Sequence, residues 1–166
     1  MKYIFILFTI SVLFACGKTN KLAENNDEIT VLQYEALFDL LNAEKDVLYV
    51  VNFWATWCSP CVEELPDFVA VDNEMRANTS YKMLLVSLDA ASDIEDVKLF
   101  KQTHSISPQV LLLDDIRRMN DWIPKVEPYW GGAIPATLFY RNGKSLHFVE
   151  GKLNKEQLLQ HINKFL

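Results

Sequence analysis

The chain has 166 residues, half of them hydrophobic and 23% charged, which fits one globular domain and excludes a disordered chain. Lys and Arg number 16 against 22 Asp and Glu, a net charge of −6, which excludes the basic surface that nucleic acid requires. With three cysteines, three histidines and no glycine-rich phosphate loop, the chain lacks a disulfide framework, and no metal or other cofactor is expected.

Met1-Lys2 is followed by an apolar run over 3–14, shorter than the roughly 20 residues of a spanning helix. One positive charge and a short apolar stretch describe a secretory signal. The run ends in Leu13-Phe14-Ala15-Cys16-Gly17. This resembles a bacterial lipoprotein signal, whose cysteine is lipidated and becomes the mature N-terminus, although Phe14 is bulkier than the residue usual there. The resemblance implies a signal over 1–15, a lipid on Cys16, a polar tether over 16–28 and a domain over 29–166. An ordinary cleaved signal or an uncleaved anchor, with Cys16 free, are the alternatives. Each version puts the domain outside the cytoplasm, where disulfides persist.

A first strand is expected over 29–32. Tyr34, Leu37, Phe38, Leu40 and Leu41 recur at helical spacing, giving a helix to about Glu44. The apolar, β-branched run over 47–54 marks a strand covered on both faces. A helix follows over 59–77, with Pro66 expected to kink it. A second buried strand lies over 83–88. Ser92 or Asp93 can cap the next helix. A third apolar run covers 110–113, and Asp114-Asp115 can open a short helix ending near Pro124. Strands over 136–140 and 145–149 flank Asn142-Gly143, a two-residue hairpin signal. Asn154 caps a last helix, whose Leu158, Leu159, Ile162 and Phe165 share one face. This order predicts an α/β domain in which crossover-linked parallel strands meet an antiparallel hairpin in one mixed sheet.

Trp57-Cys58-Ser59-Pro60-Cys61 sits where a buried strand turns into a helix. There the first thiol meets unpaired amides and the positive helix end, which favour thiolate. The second lies one turn in, within disulfide reach, and Pro60 takes an early helical position that needs no amide donor. Cys58 can attack a disulfide, and Cys61 can resolve the mixed disulfide that forms. Half of a zinc site would need a further Cys or His pair, and His104, His147 and His161 are scattered in sequence. An inert staple would close too short a loop to constrain much of the unfolded chain.

Asn52-Phe53-Trp54-Ala55-Thr56-Trp57-Cys58-Ser59-Pro60-Cys61, with Glu64-Leu65-Pro66 after it, resembles the thioredoxin fold. Within that fold it is similar to the TlpA/ResA-like branch of membrane-tethered, extracytoplasmic thiol-disulfide oxidoreductases. Gly132-Ala133-Ile134-Pro135-Ala136-Thr137 resembles the second signature of the fold, a cis-proline before an antiparallel strand. The resemblance covers about 29–166. It implies a thioredoxin-like mixed sheet flanked by helices, with a central insertion over 104–130 that carries no decodable motif. It makes Cys58 and Cys61 the catalytic pair. It puts Pro135 against the sulfurs and the backbone of Ile134 in a β-like contact with substrate; the alternative is a trans proline opening an edge strand. Glu64 would tune the cysteines and move protons, taking the place of the buried acid that cytoplasmic thioredoxins carry where Asn52 stands; otherwise it is a solvated helix charge, as Glu63 is read. Trp57 would shield the site and touch substrate, while Trp54 is as well explained as core. Tyr129 and Trp130 are either a partner-binding lip or core.

The resemblance further implies a monomeric, lipid-anchored reductant of protein disulfides, fed by a membrane-bound thiol donor, with cytochrome c maturation as one role among relatives. The same chemistry run as an oxidant, a peroxidase on the same fold and a non-enzymatic binding lipoprotein are the competing readings.

Overall fold

The computed structural model describes residues 28–166, so the expected signal, Cys16 and nearly all of the expected tether lie outside the described residues. No helix among the described residues is long and apolar enough to cross a membrane.

The domain is organised around β2 (Leu48–Trp54), in which every residue is buried. Leu48, Val50 and Trp54 join one core with Phe68, Leu158 and Ile162. Tyr49, Val51 and Phe53 join a second core with Leu37, Leu41 and Trp122. This period of two is what a strand covered on both faces requires. The period also places Asn52, the one polar residue of β2, on the first of these faces.

β1 (Thr30–Leu32), β3 (Tyr81–Ser87) and β4 (Gln109–Leu113) run parallel to β2, and β5 (Ala136–Arg141) and β6 (Lys144–Glu150) form the hairpin, in the sheet order β1-β4-β3-β2-β5-β6. β5 lies antiparallel to β2, with Asn52 opposite Thr137. The hairpin turns at Asn142 (φ 51°) and Gly143 (φ 79°), both left-handed, as a two-residue turn of this kind demands. The helices are α1 (Tyr34–Asn42), α2 (Ser59–Met75), α3 (Ile94–Thr103), α4 (Met119–Val126) and α5 (Lys155–Phe165). The result is the thioredoxin-like α/β architecture.

Several boundaries differ from expectation. α1 stops at Asn42, two residues early. α2 continues through Pro66 to Met75. Asp93 stands at the cap of α3 but its side chain makes no capping bond, because a 3-10 turn over Ala91–Asp93 already leads into the helix. α4 runs past Pro124 to Val126 and is preceded by a 3-10 turn over Ile116–Arg118. The stretch 104–130 is thus largely built into the domain, since it supplies β4 and α4. α5 is closed by a reciprocal pair: Gln157 N donates to Asn154 Oδ1 (2.9 Å) and Asn154 N donates to Gln157 Oε1 (3.0 Å).

Candidate active site

β2 ends at Trp54, and the turn Ala55-Thr56-Trp57 delivers Cys58 to the N-cap of α2. The turn is tight: Cys58 N donates to Ala55 O (3.1 Å) and Val62 N to Cys58 O (3.0 Å). It is also clamped. Buried Asp89, just beyond β3, accepts from Thr56 N (3.0 Å), Thr56 Oγ1 (2.6 Å) and Ser87 Oγ (2.6 Å). Ser59 and Pro60 fill the first helical positions, where a missing amide donor is harmless. Cys58 and Cys61 are joined in a disulfide, with Cα atoms 5.2 Å apart. Cys58 retains 6% of its surface, less than its place at a helix start predicted, and Cys61 retains none. Any partner therefore reaches Cys58 first.

The Ile134–Pro135 peptide is cis, and Pro135 leads directly into β5 beside the end of β2. The carbonyl oxygen of Ile134 lies 3.7 Å from Cys58 Sγ. Pro135 O is taken by Gly151 N (2.8 Å), which ties this loop to the end of β6.

Behind the cysteines, Glu64 is 3% exposed and one turn beyond Cys61 on α2. Its Oε1 accepts from Asn52 Nδ2 (2.8 Å) and its Oε2 from the Leu153 amide (2.8 Å). Asn52 Nδ2 also donates to Thr137 Oγ1 (3.2 Å). Burial pushes the Glu64 carboxyl up to about 7; the Leu153 and Asn52 bonds and the Lys152 charge pull the other way without cancelling it. Asn52 Oδ1 has no partner among the described residues. Glu63, by contrast, is solvated and pairs with Lys152 (2.6 Å).

The expected site residues Cys58, Cys61, Glu64, Ile134 and Pro135 thus converge at one end of β2. Trp57 joins them as a rim rather than a shield, since it is 69% exposed. Trp54 is fully buried core. Trp130 is core too, its indole donating to Ala133 O (2.8 Å), while neighbouring Tyr129 is 94% exposed. His147 and His161, far apart in sequence, are brought together by β6 and α5, with ring centroids 4.6 Å apart. Among the described residues no cluster of three metal-ligating side chains forms around them or elsewhere. Asp89 and the Leu153 amide were not anticipated. The only sequence signal for Asp89 was an acid placed just after a buried strand.

The AhpC/TSA family model matches residues 20–147. The thiol-disulfide oxidoreductase ResA of Bacillus thuringiensis strain Al Hakam is 28% identical over 116 residues, 69% of this chain and 61% of that protein. The chain therefore spans about three-fifths of the length of the curated relatives it matches. A putative thiol:disulfide interchange protein DsbE from Chlorobium tepidum superposes with a TM-score of 0.59 at 23% identity, covering 78% of this chain and 84% of that one. The pneumococcal exposed lipoprotein thioredoxin Etrx1 from Streptococcus pneumoniae gives 0.59 at 24% identity, covering 75% and 89%.

Proposed function

The chain belongs to the AhpC/TSA family, and from that premise we propose that it is an extracytoplasmic thiol-disulfide oxidoreductase that reduces disulfides in proteins through Cys58 and Cys61. The observation that carries this reading is the disulfide at the start of α2, with its outer sulfur beside the Ile134 carbonyl and a buried carboxyl one turn behind its inner sulfur.

In the reduced chain the helix N-terminus favours the Cys58 thiolate. Its sulfur attacks one sulfur of the substrate disulfide; the substrate S–S bond breaks, and the other substrate sulfur leaves as thiolate. The chain and substrate are then held by a mixed disulfide. Cys61, fully buried, gives its proton towards Glu64, whose affinity near neutrality suits it to hold one. Proton uptake turns Glu64 into a donor, and reversal of the Asn52 amide would offer it the otherwise unpaired Oδ1. The Cys61 thiolate displaces the second substrate thiolate from Cys58. Two electrons have then moved from the dithiol to the substrate, and the chain is left as the Cys58–Cys61 disulfide seen here.

A lipid on Cys16 would hold the domain at the membrane as a monomer, next to the membrane-bound thiol donor that restores the dithiol. The run Leu13-Phe14-Ala15-Cys16 supports the anchor. Cytochrome c maturation, where substrate cysteines must be reduced, is the role we favour within this class. Cys61→Ala, which cannot resolve the mixed disulfide, is expected to accumulate covalent partners through Cys58 in cells. The wild-type reduction potential is expected near the thioredoxin value of about −270 mV. An empty trap overturns the exchange role, and a potential near about −120 mV overturns its reducing direction.

A further inference from the structure

The three histidines of the chain are used in two ways. His104 is committed: its Nδ1 lies 3.0 Å from Phe100 O, and its ring stacks on Phe100 with centroids 3.8 Å apart. His147 on β6 and His161 on α5 instead face each other, with centroids 4.6 Å apart. Neither ring of that pair has a hydrogen-bond partner among the described residues, and neither has a ring nitrogen sealed from water. A histidine held for packing alone normally has its nitrogens paired within the protein. These two are half-buried and their nitrogens are uncommitted.

The pair stands on rigid supports. β5 pairs with β6 and sets Phe139 opposite His147. Phe139 is fully buried and lies against both rings, 6.0 Å from His147 and 5.2 Å from His161. On α5, Leu158 and Ile162 are fully buried and fix the turn that carries His161. The nearby Lys164 ammonium lies over the Phe165 ring, 5.1 Å from its centre. Burial, the facing His147 and the Lys164 charge all push the His161 ring below its usual value. At neutral pH that ring therefore keeps a lone pair, as a metal ligand must. Two imidazoles bound at ~2 Å to one ion, at about a right angle, hold their ring centres ~4.5 Å apart. The spacing found is 4.6 Å. Ligand type narrows the ion: paired imidazoles suit Cu(II), Ni(II) or Zn(II) rather than the oxygen-seeking Mg(II) or Ca(II).

We propose that His147 and His161 form a two-imidazole site for a borderline divalent cation, Cu(II) in preference to Zn(II), which ties β6 to α5. No third Cys, His, Asp or Glu joins them among the described residues, so water takes the remaining positions and the site is open rather than a closed structural one. The cation binds as the divalent ion and displaces only water, so no electron moves. Binding makes no use of Cys58 or Cys61, and the site stands or falls apart from the exchange reaction.

The test uses the oxidised full-length chain, untagged and carrying Cys16→Ser so that no free thiol competes. Calorimetric titrations with Cu(II) and with Zn(II) at neutral pH are each expected to show one ion per chain, with Cu(II) the tighter. His147→Gln and His161→Gln are each expected to weaken Cu(II) binding at least about tenfold, the least that losing even an outer partner of a metal ligand costs. His104→Gln is expected to leave it unchanged. Before any histidine is replaced, Zn(II) is expected to shift the ring nitrogen resonances of His147 and His161 together and to leave those of His104 in place. That spectrum decides the matter if a histidine variant does not fold. No one-to-one binding, unchanged binding in either the His147 or the His161 variant, or a shift confined to one of the two rings overturns the site. Zn(II) binding tighter than Cu(II) overturns the choice of ion.

Discussion

Cys58 and Cys61 share a bond, yet the two regions that flank it are built on opposite plans. Behind Cys61 lies a sealed polar pocket in which Glu64, Asn52, Thr137 and the Leu153 amide bond to one another. In front of Cys58 lies an open apolar rim of Trp57, Ile116 and Ile134. Polar groups are normally outside and apolar ones inside, so both regions run against the ordinary distribution. The inversion suits the two tasks that the proposed function would require. A carboxyl screened from water keeps its proton to near neutrality, which suits proton traffic with a buried sulfur. An apolar surface left in water recovers free energy only when something covers it, which suits recognition.

The sharpest way to break this contrast is Glu64→Gln. In the folded chain Glu64 ionises only at about 7, against an ordinary value of 4.5. Between those values the folded chain keeps a proton that the unfolded chain has released. Stability therefore falls as pH rises through this window, and the penalty is complete above about pH 7. At about 1.4 kcal/mol per pH unit the burial costs up to about 3 kcal/mol. Gln cannot ionise, so the difference between wild type and Glu64→Gln, measured by urea denaturation of the oxidised proteins, is expected to shift by up to that amount from pH 4 to pH 8. A flat difference would mean that Glu64 ionises as a surface acid does, and the sealed pocket would lose its role.

Asp89→Ala strikes the other region. Its carboxylate holds the Thr56 amide and hydroxyl, and Ser87 Oγ as well. Removing it leaves the buried Ser87 hydroxyl and the half-buried Thr56 amide and hydroxyl unpaired, at a cost of about 2 kcal/mol in thermal or chemical unfolding. The turn that presents Trp57 and Cys58 also loosens, so exchange with peptides is expected to slow while the pH dependence due to Glu64 persists. If the pH dependence vanished with Asp89, the two regions would be one coupled network rather than two.

The sequence carried the parts of this site that are local. Cys58 and Cys61 are three residues apart, Pro60 marks the helix start, and the unbroken apolar run of β2 announces a central strand. Glu64 and Pro135 were reachable only through the family resemblance, because nothing in their own neighbourhoods distinguishes a buried carboxyl from a solvated one or a cis bond from a trans one. The partners of Glu64 and Thr56 were out of reach. Leu153 is 89 residues from Glu64 and Asp89 is 33 from Thr56, and only the sheet order brings them together. The apolar rim escaped for the same reason, since Trp57, Ile116 and Ile134 come from segments far apart in the chain. His147 and His161 looked unrelated until β6 and α5 brought their rings together.

The smallest effect asks how far the polar pocket depends on its surroundings. Leu153, whose amide donates to Glu64, directly precedes Asn154, the cap of α5. Asn154→Ala removes the bond from Gln157 N and is expected to cost about 1 kcal/mol, within the usual range for a lost N-cap. Leu153 itself is 4% exposed and packed in the same core as Phe68 and Leu158. That packing, not the cap, fixes where its amide points. The stability curve against pH should therefore drop as a whole, with its slope between 4.5 and 7 unchanged. If the fall in stability instead continues above pH 7, the Leu153 amide has moved off Glu64 and the carboxyl has risen further, which would make the start of α5 a working part of the proton pocket rather than its scaffold.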